Sequence, residues 1–214
     1  MKEPLSVQRI VDTALELIAA DGFEALTMRR LALVLKTGPA SLYAHVLNKA
    51  DLDDLLIGFL CTGIVLPEAD SDKWREQIFD VLAQIRDQYL KYPGISAAAL
   101  AVVPTNLETL RISEGMLSIL LAGGVVPQTA AWAVDSLTLY VNAYCLELSM
   151  WSRQMDPAKG EWVDMQDTLQ ERFAALPEDE FPNTKRYAAQ LIAGEGHDRF
   201  DFALTTMIDG LGGR

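Results

Sequence analysis

Apolar positions recur along most of the chain with the period of a helix. Val7, Ile10, Val11, Ala14, Leu15 and Ile18 fall at i, i+3, i+4, i+7, i+8 and i+11, which places them on one stripe. Ser6 stands where its side-chain oxygen can accept a first-turn N–H, and Asp21-Gly22 supplies the stop. Thr27 opens a second helix to about Leu35, with Leu31, Val34 and Leu35 expected to point inward. Lys36-Thr37-Gly38-Pro39 breaks it. A third helix starts at Pro39, whose missing N–H has no intrahelical partner in a first turn, and ends near Val46. A fourth runs from about Lys49 toward Gly63, with Asp51, Asp53 and Asp54 near the positive end of its dipole.

Beyond the polar connector Leu66–Asp72, another stripe follows: Trp74, Ile78, Val81, Leu82, Ile85 and Tyr89, closed by Tyr92-Pro93-Gly94. Shorter apolar pieces break at Pro104 and at Gly123-Gly124. From Gln128 to about Trp151 the chain is apolar almost all round, which predicts a long helix buried on most sides. Asp156–Gly160 and Leu176–Pro182 read as loops. Phe200, Leu204, Met207, Ile208 and Leu211 mark a last amphipathic helix, ended by Gly212-Gly213. No segment alternates as a strand would, so the expected class is all-α.

Composition narrows the function. The 214 residues are 50% hydrophobic and 22% charged, ample for a core and unlike a disordered acidic chain. Cys61 and Cys145 stand alone, which excludes a disulfide framework and a thiolate zinc finger and favours a reducing cytosol. His45 and His197 lie far apart, so no HExxH site exists; no metal and no cofactor is expected. The start MKEPLSVQRIVDTA lacks the apolar run of a signal peptide. Twenty uncharged residues separate Glu114 from Asp135, long enough to span a bilayer. Gly123-Gly124 and Pro127-Gln128 divide them, however, into the end of one helix and the start of another, so no membrane partner is expected. Glu147, Asp135 and Glu114 could be buried acids. No nucleophile–base pair, phosphate loop or metal spacing accompanies them, and an enzyme is not expected. The net charge of −12 argues against non-specific coating of nucleic acid. Residues 1–57 hold six Lys/Arg against eight Asp/Glu, so most of the acidity lies beyond them and a small basic surface can still exist there.

The segment from Thr27 to His45 encodes a short helix, a tight turn and a second short helix. Ala32 is small where the two must cross, and Leu31, Leu35 and Leu42 form the wedge between them. This is the helix-turn-helix pattern, whose second helix enters the major groove. Pro39, Ala40, Ser41, Tyr43, Ala44 and His45 would then face base edges, thymine methyls and phosphates. The helix starts at Thr27 and Lys49 can each hold a phosphate, and Arg29 and Arg30 add positive charge. The same pattern also fits a plain helical hairpin.

From about Val7 to Leu60, the runs IVDTALELIAADGFEALTMRRLA and ASLYAHVLNKADLDDLL resemble the DNA-binding domain of the TetR family of bacterial transcriptional repressors. The Leu-Tyr-x-His-x-x-Asn-Lys order is most similar to the tetracycline-repressor branch. Trp74-Arg75, Tyr92-Pro93-Gly94, Glu114 in its GMLSILLAGGV context and the Phe-x-x-x-Leu-x-x-Met-Ile-Asp-Gly-Leu ending extend the resemblance more loosely. The resemblance implies that Arg29 is a base-reading arginine, Thr27 a phosphate-bound cap and Lys49 a phosphate lysine. It places Pro39, Ala40, Ser41, Tyr43 and His45 on the recognition helix. Two positions depart from the family pattern. Lys36 replaces the usual turn glycine, which bears on the turn's geometry. Ala44 replaces a large aromatic, which alters operator preference.

The implied organisation is a helix-turn-helix DNA-binding domain at 1–48, a connecting helix at 49–65 and a helical ligand-binding and dimerisation domain at 66–214. Homodimers of the family pair two helices per subunit. Here these would be Val134–Leu148, with Val134, Leu137, Val141, Cys145 and Leu148 near heptad spacing, and Phe200–Leu211. The same stripe also suits intrachain core. Candidate pocket residues are Phe79, Leu82, Arg86, Tyr89, Met116, Leu117, Leu120, Asp135, Tyr140, Asn142 and Tyr144. Arg86, Asp135 and Asn142 need polar partners, which could be one another. The family's metal-chelating histidine has no counterpart, so a largely apolar effector is expected rather than a magnesium-chelated tetracycline. The expected function is a ligand-responsive repressor that binds a palindromic double-stranded operator in the cytoplasm. The alternative is a helical small-molecule- or protein-binding dimer that does not bind DNA.

Overall fold

The computed structural model describes residues 4–101, 103, 105–154 and 161–212. Among these every regular element is helical, in keeping with the all-α expectation. No described helix is long and apolar enough to cross a membrane. The breaks read at Pro104 and Gly213 and the loop at Asp156–Gly160 lie outside the described residues. The chain gathers into two compact units, residues 1–149 with 204–214, and residues 150–203.

In the first unit, α1 (Val7–Asp21) begins where Ser6 Oγ accepts the Arg9 N–H and ends at Gly22, whose φ of 82° only glycine adopts freely. It buries Ile10, Val11, Ala14, Leu15 and Ile18, and leaves Val7 at the edge. α2 (Met28–Val34) is capped by Thr27, whose Oγ1 accepts the Arg30 N–H at 3.1 Å. α3 (Pro39–Tyr43) starts on Pro39. Leu31, Leu35 and Leu42 close the wedge between them, and Ala32 is buried at the crossing. Val34, expected inside, is instead 45% exposed. In so short a helix the buried row runs through Leu31 and Leu35, and Val34 falls outside it.

Lys36 occupies the left-handed position of the turn that follows α2. It adopts φ 52° itself, and two hydrogen bonds close the end of α2: Lys36 N–H to Leu33 O and Thr37 N–H to Ala32 O. These are the two bonds of a Schellman motif, with a lysine held in the left-handed region at about 1–2 kcal/mol.

α4 (Lys49–Thr62) has a cap absent from the sequence reading: Asn48 Oδ1 accepts the Asp51 N–H, and Asp51 Oδ2 accepts the Leu47 N–H. α1 packs on α2 and α4, while the far half of α4 packs on α6 (Ser96–Ala101) and α7 (Leu107–Ala122). The Gly58 backbone lies against the Asn106 side chain that caps α7, a contact no Cβ would allow. α5 (Trp74–Leu90) packs on α7 and buries all six residues of its predicted stripe. α7 stops at Gly123-Gly124, Gly124 having φ 79°, and α8 (Pro127–Gln154) begins three residues later. The uncharged run is therefore two helices joined by a turn.

α8 uses its apolar stripe within the chain. Its stripe Leu137, Val141 and Cys145 is buried inside this chain, with Val134 and Leu148 half-buried. The opposite face is open, Trp132 being 69% and Leu139 54% exposed. An apolar composition all round the helix could not say which side meets the chain's own core. The remaining helices are α9 (Glu161–Ala174), α10 (Pro182–Arg186), α11 (Ala188–Ile192) and α12 (Asp198–Asp209). On α12, Phe200, Leu204 and Ile208 are buried and Phe202 is exposed.

Candidate functional site

Two features stand out in the first unit, and α4 joins them. The first is the outer surface of α2 and α3. Thr27, Arg29, Pro39, Ala40, Ser41, Tyr43 and His45 are all exposed there. Thr27, Arg29 and Pro39 share one shallow cleft with Arg30, Ala32, Leu33 and Thr37. The cleft thus brings the first turns of both helices together, where free N–H groups and an arginine can meet an anion. Arg30 is tied back to Asp21 by an ion pair. Lys49 sits at the start of α4, half-buried, with its ammonium paired to Asp53 and 4.0 Å above the Phe23 ring. Burial raises the Asp53 carboxyl above its ordinary range, against the pull of Lys49.

The second feature is a cavity of about 350 Å³. Asp54, Ile57 and Cys61 reach it from one face of α4, Ile85 and Tyr89 from α5, and Thr109, Ile112 and Ser113 from α7. Ala99, Leu100 and Val103 flank it, and α8 supplies Asp135, Thr138, Leu139 and Asn142. Asp54 accepts the Thr105 hydroxyl at 2.7 Å and the Thr105 N–H at 3.4 Å. Burial pushes the Tyr89 phenol and the Cys61 thiol up, and the Cys145 thiol up to about 12, so neither sulfur is a ready nucleophile. Among the described residues no group of side chains could hold a metal.

Of the residues expected in the pocket, Tyr89, Asp135 and Asn142 line this cavity. Leu82, Met116, Leu120 and Tyr144 are buried in the core and do not line it, and neither do Leu117 and Tyr140. Phe79 lines a separate groove with Arg75, Asp80 and Ile208. Arg86 donates to Asp87, its neighbour in sequence. The lining residues missed by the sequence reading carry a signal of their own. Asp54, Ile57 and Cys61 fall at i, i+3 and i+7, as do Asp135, Thr138 and Asn142, a polar thread on an otherwise apolar helix.

Two links connect the features. α4 carries Lys49 and Asp53 at one end and Asp54, Ile57 and Cys61 along the cavity. The turn after α5 forms the other: Pro93 O accepts the Phe23 N–H at 2.8 Å, and the adjacent Gly94 N–H donates to Ser149 Oγ on α8 at 2.9 Å.

Residues 10–53 match the family model described as bacterial regulatory proteins, tetR family, and residues 66–214 match the tetracyclin repressor-like C-terminal domain. The chain belongs to the TetR family. It is a transcriptional regulator with a helix-turn-helix head, and not an enzyme. The structure of apo ActR from Streptomyces coelicolor is similar over 98% of both chains, with 34% identity and a TM-score of 0.86. ActR has also been solved with actinorhodin, at 36% identity over 97% of this chain and 95% of that one, TM-score 0.86. An HTH-type transcriptional regulator of Saccharopolyspora erythraea is 31% identical over 153 residues, which span 72% of this chain and 65% of that protein. The class D tetracycline repressor of Escherichia coli is 26% identical over 96% of this TetR-family chain and 88% of its own length.

Proposed function

We propose that this regulator is a repressor that binds a palindromic operator as a homodimer and is released when a small molecule fills the cavity lined by Tyr89, Asp135 and Asn142. The single observation that carries this reading is the double duty of α4. The helix that positions Lys49 for a phosphate also forms one wall of the cavity through Asp54, Ile57 and Cys61. A ligand that pushes on that wall moves the reading head, provided it binds the displaced state more tightly. The turn at Pro93-Gly94 is a second route for the same motion. That ActR, at 36% identity, takes actinorhodin supports a small-molecule effector here.

In this reading Thr27 and Lys49 anchor phosphates, Arg29 reads a base, and Pro39, Ala40, Ser41, Tyr43 and His45 enter the major groove. Two such heads lie about one DNA turn apart, roughly 34–36 Å. Trp132 on α8 and Phe202 on α12, both exposed, give a second copy apolar side chains to cover. The protein works in the cytoplasm, where its DNA lies. Retardation of the chain's own upstream DNA at low salt is the test. A purified dimer that retards none of it sinks the repressor and leaves the helical ligand-binding protein without DNA.

A further inference from the structure

The lining of the cavity is chemically one-sided. Two carboxylates, Asp54 on α4 and Asp135 on α8, reach it, and no basic side chain among the described residues does. Arg111 on α7 and Arg86 on α5, the arginines nearest the lining in sequence, have partners outside it. Arg111 donates to the Cys61 and Ile64 carbonyls at the end of α4 and pairs with Glu108. Arg86 pairs with Asp87. The other polar groups in the wall are neutral: Thr109, Ser113, Thr138 and Asn142. The rest is apolar or aromatic.

We infer that the cavity selects an amphipathic organic cation, an apolar body carrying a protonated amine, with Asp54 and Asp135 as its counter-charges. This rests on the reading of the cavity as the effector site. The donors Asp54 now has, the Thr105 hydroxyl and N–H, are neutral and leave its charge uncompensated. A carboxylate offers about four acceptor positions, so an ammonium can be added to these bonds or replace the weaker one. An anionic ligand would bring like charge against two carboxylates with no cation beside them to offset it. The cation also acts at a useful point. Asp54 follows Asp53, which holds Lys49, so a ligand that draws Asp54 toward α8 acts on the turn of α4 that orients the phosphate lysine.

The test is a calorimetric titration of the full chain with 2-(1-naphthyl)ethylammonium, 2-(1-naphthyl)ethanol and 3-(1-naphthyl)propanoate at neutral pH. The ammonium should bind about ten- to a hundredfold tighter than the alcohol, the worth of one charge-assisted hydrogen bond, and the carboxylate weakest. Asp135→Asn replaces an exposed side chain and should fold; it should shrink the ammonium's advantage by about tenfold. Asp179→Asn, an exposed acid outside the cavity, controls for general attraction to an acidic protein and should leave the advantage intact. Equal binding of all three probes overturns the charge selection and leaves the effector site standing. So does a carboxylate that binds as tightly as the ammonium, or an equal loss in both variants. Binding of none of the three at millimolar concentration overturns the effector site itself and the charge selection with it.

Discussion

The reading head and the cavity share α4 but are built by different means. In the head each helix is short and fixed at its ends: Ser6, Thr27 and Asn48 cap α1, α2 and α4, and Lys36 closes α2 by itself. The cavity has no local author. Its walls come from α4, α5, α7 and α8, with lining residues as far apart in sequence as Asp54 and Asn142, and it exists only because those helices are held apart as well as together. The head is thus a set of local solutions over a small core, and damage there should act turn by turn. The cavity depends on close approaches such as Gly58 against Asn106, and damage there should spread.

The largest expected effect tests the core beneath the head. Leu42 is fully buried between α2 and α3, and Leu42→Ala should cost about 2–5 kcal/mol in chemical denaturation and abolish DNA retardation. A loss below about 1 kcal/mol would mean that the wedge is not what holds the two helices. On the cavity side, Gly58→Ala should cost about 1–3 kcal/mol by pushing Asn106 off the α7 cap. Its signature is faster amide exchange at the start of α7 with the head protected; uniform exchange would erase the contrast between the regions.

The shared helix gives a third test. Lys49→Ala should weaken binding to every DNA sequence and lower the salt-dependence slope by about one unit. Asp53→Asn, which releases Lys49, should change affinity in the opposite direction by up to about tenfold. Burial raises the Asp53 carboxyl, so in the wild type its contribution to stability is greatest in acid and is lost as pH climbs through the folded value. The Asn variant should lack that fall; an unchanged profile would count against the buried pair. The smallest effect is local. Lys36→Gly should stabilise the chain by about 0.5–1 kcal/mol, the relief of a left-handed lysine less the added freedom of the unfolded glycine. No rise in melting temperature would show that other Lys36 contacts offset the strain.

What could be read in advance follows the same division. The α1 stripe, the Thr27 cap, the glycine stop at Gly22 and the helix-turn-helix spacing were all legible, because each rests on residues within a turn or two of one another. The Asn48 cap is legible in principle, since Asn-Lys-Ala-Asp is a capping pattern, but three aspartates in the first turns offer a competing signal. The α8 stripe was visible, with an interchain seam and an intrachain core both open to it. Leu137, Val141 and Cys145 have the spacing of an interchain seam, yet the same spacing serves an intrachain core, and only burial tells them apart.

By itself the sequence determined that this chain is helical, where most of its caps and stops lie, and that the stretch from about Val7 to Leu60 resembles a TetR-type reading head. The first two are consequences of periodicity and of side chains bonding to nearby backbone, and the third rests on the likeness of its motifs. Only the tertiary structure decided that Lys36 takes up the glycine conformation, that Lys49 turns back onto Asp53 and Phe23, and that Asp54 and Asp135 face one enclosure. Those outcomes depend on which distant helices meet, and hydrophobic spacing says that a face will be covered without saying by what.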